Sequence, residues 1–128
     1  MKILGIGVDI VKNKRIQSLI RNRNFIKRTF GTKELKFSKV KINKTNYFAK
    51  RFAAKEAFSK SFGTGIRGDL SFKDIEILND KMGKPFFYKS KKIDQIVKKK
   101  FKIKKYDLLL SLSDEEDHSI AFTILIKK

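Results

Sequence analysis

The chain has 128 residues, with 32 basic against 13 acidic side chains, a formal net charge of +19 and no cysteine. Its length argues for one domain, 1–128, and its 41% hydrophobic content with 12% aromatics excludes a disordered polycation. The lack of cysteine excludes a disulfide scaffold, a zinc-thiolate site and a thiol nucleophile, and the single histidine, His118, argues against a multi-histidine metal centre.

In chain order, Ile3 to Val11 alternates weakly around Gly5 and Gly7 and reads as a first strand, with Asp9 near its C-terminal end. The periodic stretch Val11–Ile20 follows, its Ile16, Leu19 and Ile20 sharing a helical face. Phe25–Phe30 and Lys33–Val40 read as short helices, the second with Thr32 as N-cap. Lys41–Thr45 is polar and reads as a loop. Asn46–Phe62 is the most strongly patterned segment: Tyr47, Phe48, Phe52, Ala53, Ala57 and Phe58 recur at three- and four-residue spacing without Gly or Pro, so it is a helix ended by Gly63. Ser71–Leu78 and Gly83–Tyr88 read as two strands joined by a turn, and Lys91–Phe101 as a very basic helix or loop. Asp107–Ser113 and Ser119–Ile126 close the chain as a second hairpin around an acidic tip. The fold class expected is α+β, a small antiparallel sheet with helices inserted after its first strand.

No run approaches the roughly 18 apolar residues a membrane span needs, and the N-terminus lacks the small-residue cleavage site of a secretory signal. The expectation is a cytoplasmic protein. The net charge of +19 implies an anionic partner. Arginine is more informative here than lysine, since a guanidinium is the better fork for phosphate or carboxylate. Four of the six arginines, Arg15, Arg21, Arg23 and Arg28, fall within fourteen positions.

Three features could carry chemistry. Phe52, Glu56 and Lys60 form one row on the long helix, with Arg51 and Lys55 in the neighbouring row. This arrangement reads either as a solvated Glu56–Lys60 pair or as cations directed toward the loop Phe62-Gly63-Thr64-Gly65, whose backbone amides could meet an anion. Asp9 reads either as an N-cap for the next helix or as a carboxylate reaching into a cleft. Asp9 and Glu56 together would seat one Mg²⁺ completed by water and phosphate oxygens.

These pieces resemble the holo-acyl carrier protein synthases, the small phosphopantetheinyl transferases of fatty acid synthesis. Gly7-Val8-Asp9 with Arg15 six positions on is similar to their first signature. Arg51-Phe52-Ala53-Ala54-Lys55-Glu56-Ala57-Phe58-Ser59-Lys60, running into Phe62-Gly63-Thr64-Gly65-Ile66, is similar to their second. Phe30 and Glu34, Leu70–Ile77, Gly83-Lys84-Pro85-Phe86 and Leu112-Ser113 match later elements, so the likeness covers essentially the whole chain.

The resemblance implies the phosphopantetheinyl transferase fold and transfer of 4′-phosphopantetheine from coenzyme A to a serine of apo-acyl carrier protein, releasing adenosine 3′,5′-bisphosphate. It implies that Asp9 and Glu56 hold magnesium and are catalytic together with Lys60. Arg51, Phe52, Lys60, Gly63, Thr64, Gly65, Lys84 and Pro85 would bind the coenzyme. Arg15, Arg21, Arg23 and Arg28 would dock the acidic carrier protein. The assembly implied is a homotrimer with interfacial sites. Phosphoryl transfer to a hydroxyl needs in-line positioning and charge neutralisation rather than a Cys or His nucleophile, which agrees with the composition.

One departure stands out. Where the family usually has a His-Thr pair after the penultimate strand's Ser, this chain has Asp114 and Glu115, so that contact is not carried over. Asp114–Asp117 reads as a solvated hairpin tip pairing with nearby Lys, and His118 as structural or surface. The competing readings are a basic nucleic-acid-binding protein using Lys98–Lys105 with Phe101 and Tyr106, and an inactive relative that only holds coenzyme A.

Overall fold

The computed structural model describes residues 1–63 and 70–128. Strand β1 (Lys2–Lys12) leads into three short helices, α1 (Asn13–Leu19), α2 (Arg23–Thr29) and α3 (Thr32–Ser38), and the long α4 (Lys44–Phe62). A hairpin, β2 (Ile77–Asn79) and β3 (Pro85–Phe87), precedes α5 (Lys91–Phe101). The chain closes with β4 (Tyr106–Asp114) and β5 (His118–Lys127). The main sheet is antiparallel with order β1-β5-β4, and β2-β3 forms a separate two-stranded ladder. The expected α+β architecture is what forms, with α1–α4 inserted after the first strand and α5 between β3 and β4.

Helix α4 is the axis of the molecule. Asn43 caps its start, accepting from the amide of Asn46 at 2.9 Å, and Gly63 ends it at φ +88°. Ala49, Ala53, Ala54 and Ala57 have no exposed surface, and such small side chains let the sheet come close. The approach is closest at β1: a Cβ on Gly5 would lie 1.9 Å from the Ser61 carbonyl oxygen, and one on Gly7 1.8 Å from that of Ala57. These two positions therefore admit only glycine. Residues of alternate parity face opposite sides of a strand, so Gly5, Gly7, Asp9 and Val11 all turn toward α4.

Aromatic side chains fill the other side of α4. Phe52 stands 6.0 Å from Phe25 and 5.9 Å from Phe72, while Phe30 packs on Phe48 at 4.6 Å. Phe62 meets Phe101 at 5.6 Å, tying α5 to the same core.

The structure revises several local expectations. Asp9 is not a helix N-cap: β1 continues to Lys12, which caps α1 without a side-chain bond. The start of α1 is instead held by Asn13, whose Nδ2 donates to the carbonyls of Glu115 and Glu116 and whose Oδ1 accepts from the Ser119 hydroxyl at 2.7 Å. Gly31, rather than Thr32, precedes α3, and the Glu76 carboxylate accepts from the Lys33 and Glu34 amides at 2.8 and 3.1 Å. The strand expected over Ser71–Leu78 shortens to Ile77–Asn79, because Asp74 accepts from both the amide and the hydroxyl of Ser71 and winds Phe72–Asp74 into a 3₁₀ turn. Lys91–Phe101 is a helix, capped by Ser90.

One face of the main sheet stays bare. Ile6, Val8 and Ile10 on β1, Ile120 and Phe122 on β5 and Leu109 on β4 are all exposed, Ile6 and Ile10 by 59%. The register sets Ile124 between Ile6 and Leu109, Val8 beside Phe122, and Ile10 beside Ile120. The result is a continuous apolar surface rather than scattered side chains.

Candidate functional site

The glycine-mediated contact of β1 with α4 sets up the site. Continuing the run from Gly5 and Gly7, Asp9 points at the same helix face, toward the turn that carries Glu56. Lys60, one turn further along α4, donates from Nζ to the Val8 carbonyl at 2.9 Å and to Asp9 Oδ1 at 3.1 Å. Lys60 thus pairs with Asp9 rather than with Glu56. Burial raises the pKa of Glu56, the charge of Asp9 raises it further, and Lys60 and Arg15 oppose both. The two carboxylates therefore lie in each other's field, and each gains from a cation between them.

Lys55 and Arg51, which the sequence sets in a row of cations facing the glycine loop, are both buried in the core. Lys55 is fully buried, with Nζ 2.6 Å from Glu34 Oε1 and further bonds to the carbonyls of Phe72 (3.0 Å) and Ile75. Glu34 in turn accepts from the amides of Gly31 and Ile77, both at 3.1 Å. Burial pulls the Lys55 amine down and pushes the Glu34 carboxyl up, each partner opposing the other's shift. This pair joins α3, α4 and β2, and its role is structural. Both residues belong to segments the sequence singles out, but nothing in their spacing announces that they meet.

Arg51 is 4% exposed, its guanidinium 3.7 Å from the centre of the Tyr47 ring and bonded to Asn79 Oδ1. Its Nε has no partner among the described residues. Beside it opens a cleft of about 400 Å³ lined by Lys41, Asn43, Asn46, Lys50, Asn79, Gly83, Pro85 and Leu112, with no carboxylate in its wall. Pro85 and Gly83 thus share a cleft with Arg51, while Lys84 lies exposed in the turn between them.

The remaining site residues fall as follows. Phe52 is a core residue, with the Arg15 guanidinium over its ring at 5.7 Å. Arg28 covers the adjacent Phe25 at 5.6 Å, and Arg21 and Arg23 are exposed at the α1–α2 turn. Arg15 and Arg28 therefore sit around the Phe25–Phe52 pair, and Phe52 is one helical turn from Glu56. Gly63 is the C-cap of α4; Thr64 and Gly65 lie outside the described residues.

Asp114 carries more than a solvated tip would. It accepts from Asn46 Nδ2 and lies 3.7 Å from Lys50 Nζ, bringing the end of β4 to the start of α4. His118 is a surface group bonded to Glu115 at 2.9 Å. Phe101 packs on Phe62 and Tyr106 is 4% exposed, so the aromatics of the basic segment offer no platform for stacking bases. No described helix is long and apolar enough to cross a membrane.

Residues 5–123 match the model of the 4′-phosphopantetheinyl transferase superfamily. The chain is 56% identical over 128 residues, the full length of both proteins, to a holo-[acyl-carrier-protein] synthase of Pelagibacter ubique. It is 41% identical over 124 residues to one of Clostridium beijerinckii, covering 96% of this chain and 97% of the relative. Among solved structures it resembles the Neisseria meningitidis holo-[acyl-carrier-protein] synthase, with a TM-score of 0.85, 42% identity and coverage of 98% and 99%. It also resembles the Bacillus anthracis enzyme in complex with CoA (3′,5′-ADP), with a TM-score of 0.81, 33% identity and full coverage of both chains.

Proposed function

The chain belongs to the 4′-phosphopantetheinyl transferase superfamily, and from that premise we infer that it transfers 4′-phosphopantetheine from coenzyme A to a serine of apo-acyl carrier protein, leaving adenosine 3′,5′-bisphosphate. The observation that carries this reading is the meeting of Asp9, Glu56 and Lys60 at the β1–α4 contact.

Asp9 and Glu56 fit a magnesium ion. They are hard oxygen donors from two rigid elements, too few for a closed cage, and their mutual repulsion would be relieved by a divalent charge. When bound, the ion would supply Lewis-acid neutralisation of the pyrophosphate. The chain's own residues do the rest. Lys60, held by the Val8 carbonyl, sets a cation beside the reacting phosphate. The serine oxygen bonds to the phosphorus on the phosphopantetheine side of the pyrophosphate, and the bond to the bridging oxygen of the nucleotide breaks. The serine hydroxyl proton needs an acceptor within reach, and Glu56 or a water held at the site supplies it. Arg51 and the Gly83–Pro85 cleft take the nucleotide part, Lys84 lying at the rim.

The arginines over Phe52 and Phe25 form the surface for the acidic carrier protein, steered by charge and weakened by salt. The homotrimer and the cytoplasmic location belong to the same proposal. The bare apolar sheet face supports the trimer, since burying it against a second copy removes it from water. The test is direct: the protein is incubated with coenzyme A, Mg²⁺ and apo-acyl carrier protein, and the acceptor is weighed. A mass gain of one phosphopantetheine is expected; an unchanged acceptor overturns the assignment.

A further inference from the structure

The pyrophosphate of coenzyme A belongs with Asp9, Glu56 and Lys60, which leaves the ligand one other charged group, the phosphomonoester on its ribose. This inference rests on the coenzyme A reading above. The cleft beside Arg51 is the described cavity walled by Lys41, Lys50 and Arg51 without a carboxylate among them. Asp114 stands just behind that wall. One of its carboxylate oxygens accepts from Asn46 and the other faces Lys50 at 3.7 Å. Asn46 and Lys50 are four residues apart on α4, hence stacked on one face of the helix, and both line the cleft.

We propose that Asp114 is a positioning residue that holds Lys50 and Asn46 toward the cleft, and that Lys50 is a specificity-determining contact for the ribose phosphomonoester. A carboxylate close to a phosphate is repulsive when bare. Here two donors stand between the charges, so the carboxylate orders the donors. Lys50 is only 28% exposed and Asp114 35%, a setting in which a flexible ammonium gains from being held before the ligand arrives. The pair thus selects a nucleotide that carries the extra phosphate over one that lacks it.

The experiment compares steady-state transfer from coenzyme A and from dephospho-coenzyme A, with titration of 3′,5′-ADP followed by calorimetry. For the wild type, coenzyme A is the better donor. Lys50→Met is expected to lower the ratio of kcat/KM for the two donors about ten-fold, through KM for coenzyme A rather than kcat, as the loss of one charged hydrogen bond implies. Lys50→Arg restores most of the ratio, which a structural role would not require. Asp114→Asn lowers the ratio in the same direction by about three-fold, on the order of half that free energy. An unchanged ratio in Lys50→Met, equal losses for both donors, or a ratio that rises in Asp114→Asn overturns the proposal. If the wild type transfers from neither donor, the function assignment fails and this inference with it. If it transfers from both with no preference, only this inference fails.

Discussion

Gly7 of β1 and Ala57 of α4 touch backbone to backbone: a Cβ on Gly7 would stand 1.8 Å from the Ala57 carbonyl oxygen, far inside contact distance. This pair sets the distance at which Asp9, two residues on, faces the turn of α4 that carries Glu56. Gly7→Ala cannot be absorbed by a rotamer change, because the obstacle is main chain. We expect a loss of about 3 kcal/mol, the upper range for overpacking, read by urea unfolding. Transfer activity should fall further than the unfolded fraction explains. A variant as stable as the wild type would mean that strand and helix do not meet so closely.

Glu56 supplies a pH signature. Its folded pKa is raised above the ordinary 4.5 by burial and by Asp9, so the folded protein holds that proton more tightly than the unfolded chain. The cost of the charged form is present above the raised value and vanishes as pH falls to about 4.5. In chelator, the melting temperature of the wild type should therefore gain on Glu56→Gln as pH falls through that window. At neutral pH, Glu56→Gln should melt slightly higher than the wild type without metal, and Mg²⁺ should stabilise only the wild type. Both Glu56→Gln and Asp9→Asn should abolish transfer with the circular dichroism spectrum intact. Wild-type rates in either would remove the two-carboxylate seat.

Lys55 and Glu34 form a pair with no exposed side-chain surface. Removing one partner strands a buried charge, and Lys55→Met alone should cost about 3–5 kcal/mol. The double variant Lys55→Met with Glu34→Gln should recover part of that loss, since no uncompensated charge remains. Chemical unfolding of the four proteins in a double-mutant cycle gives the coupling. Additive losses would show that the two groups do not depend on one another.

The apolar sheet face predicts assembly. Phe122→Glu sits at its centre, between Val8 and Ser111 in the register, and leaves the inward face untouched. Light scattering should report a trimer for the wild type and a monomer for the variant, with activity lost alongside. A wild-type monomer that is fully active would separate the site from any interface.

The sequence by itself determined the α+β order, the long helix ended by Gly63 and the family resemblance. These depend on short-range periodicity, on glycine where the chain must turn, and on signature spacing, all local in the chain. Only the tertiary structure decided which cation serves which carboxylate. Lys60 reaches Asp9 across 51 positions, whereas Lys55 and Arg51, one row away on the same helix, turn into the core toward Glu34 and Tyr47. Asp74 likewise drew its local backbone into a 3₁₀ turn where alternation alone suggested strand, and Glu76 from the same stretch caps the distant start of α3. A helical row fixes which side chains share a face, but what that face meets depends on how closely the sheet can approach, and two glycines in β1 set that distance.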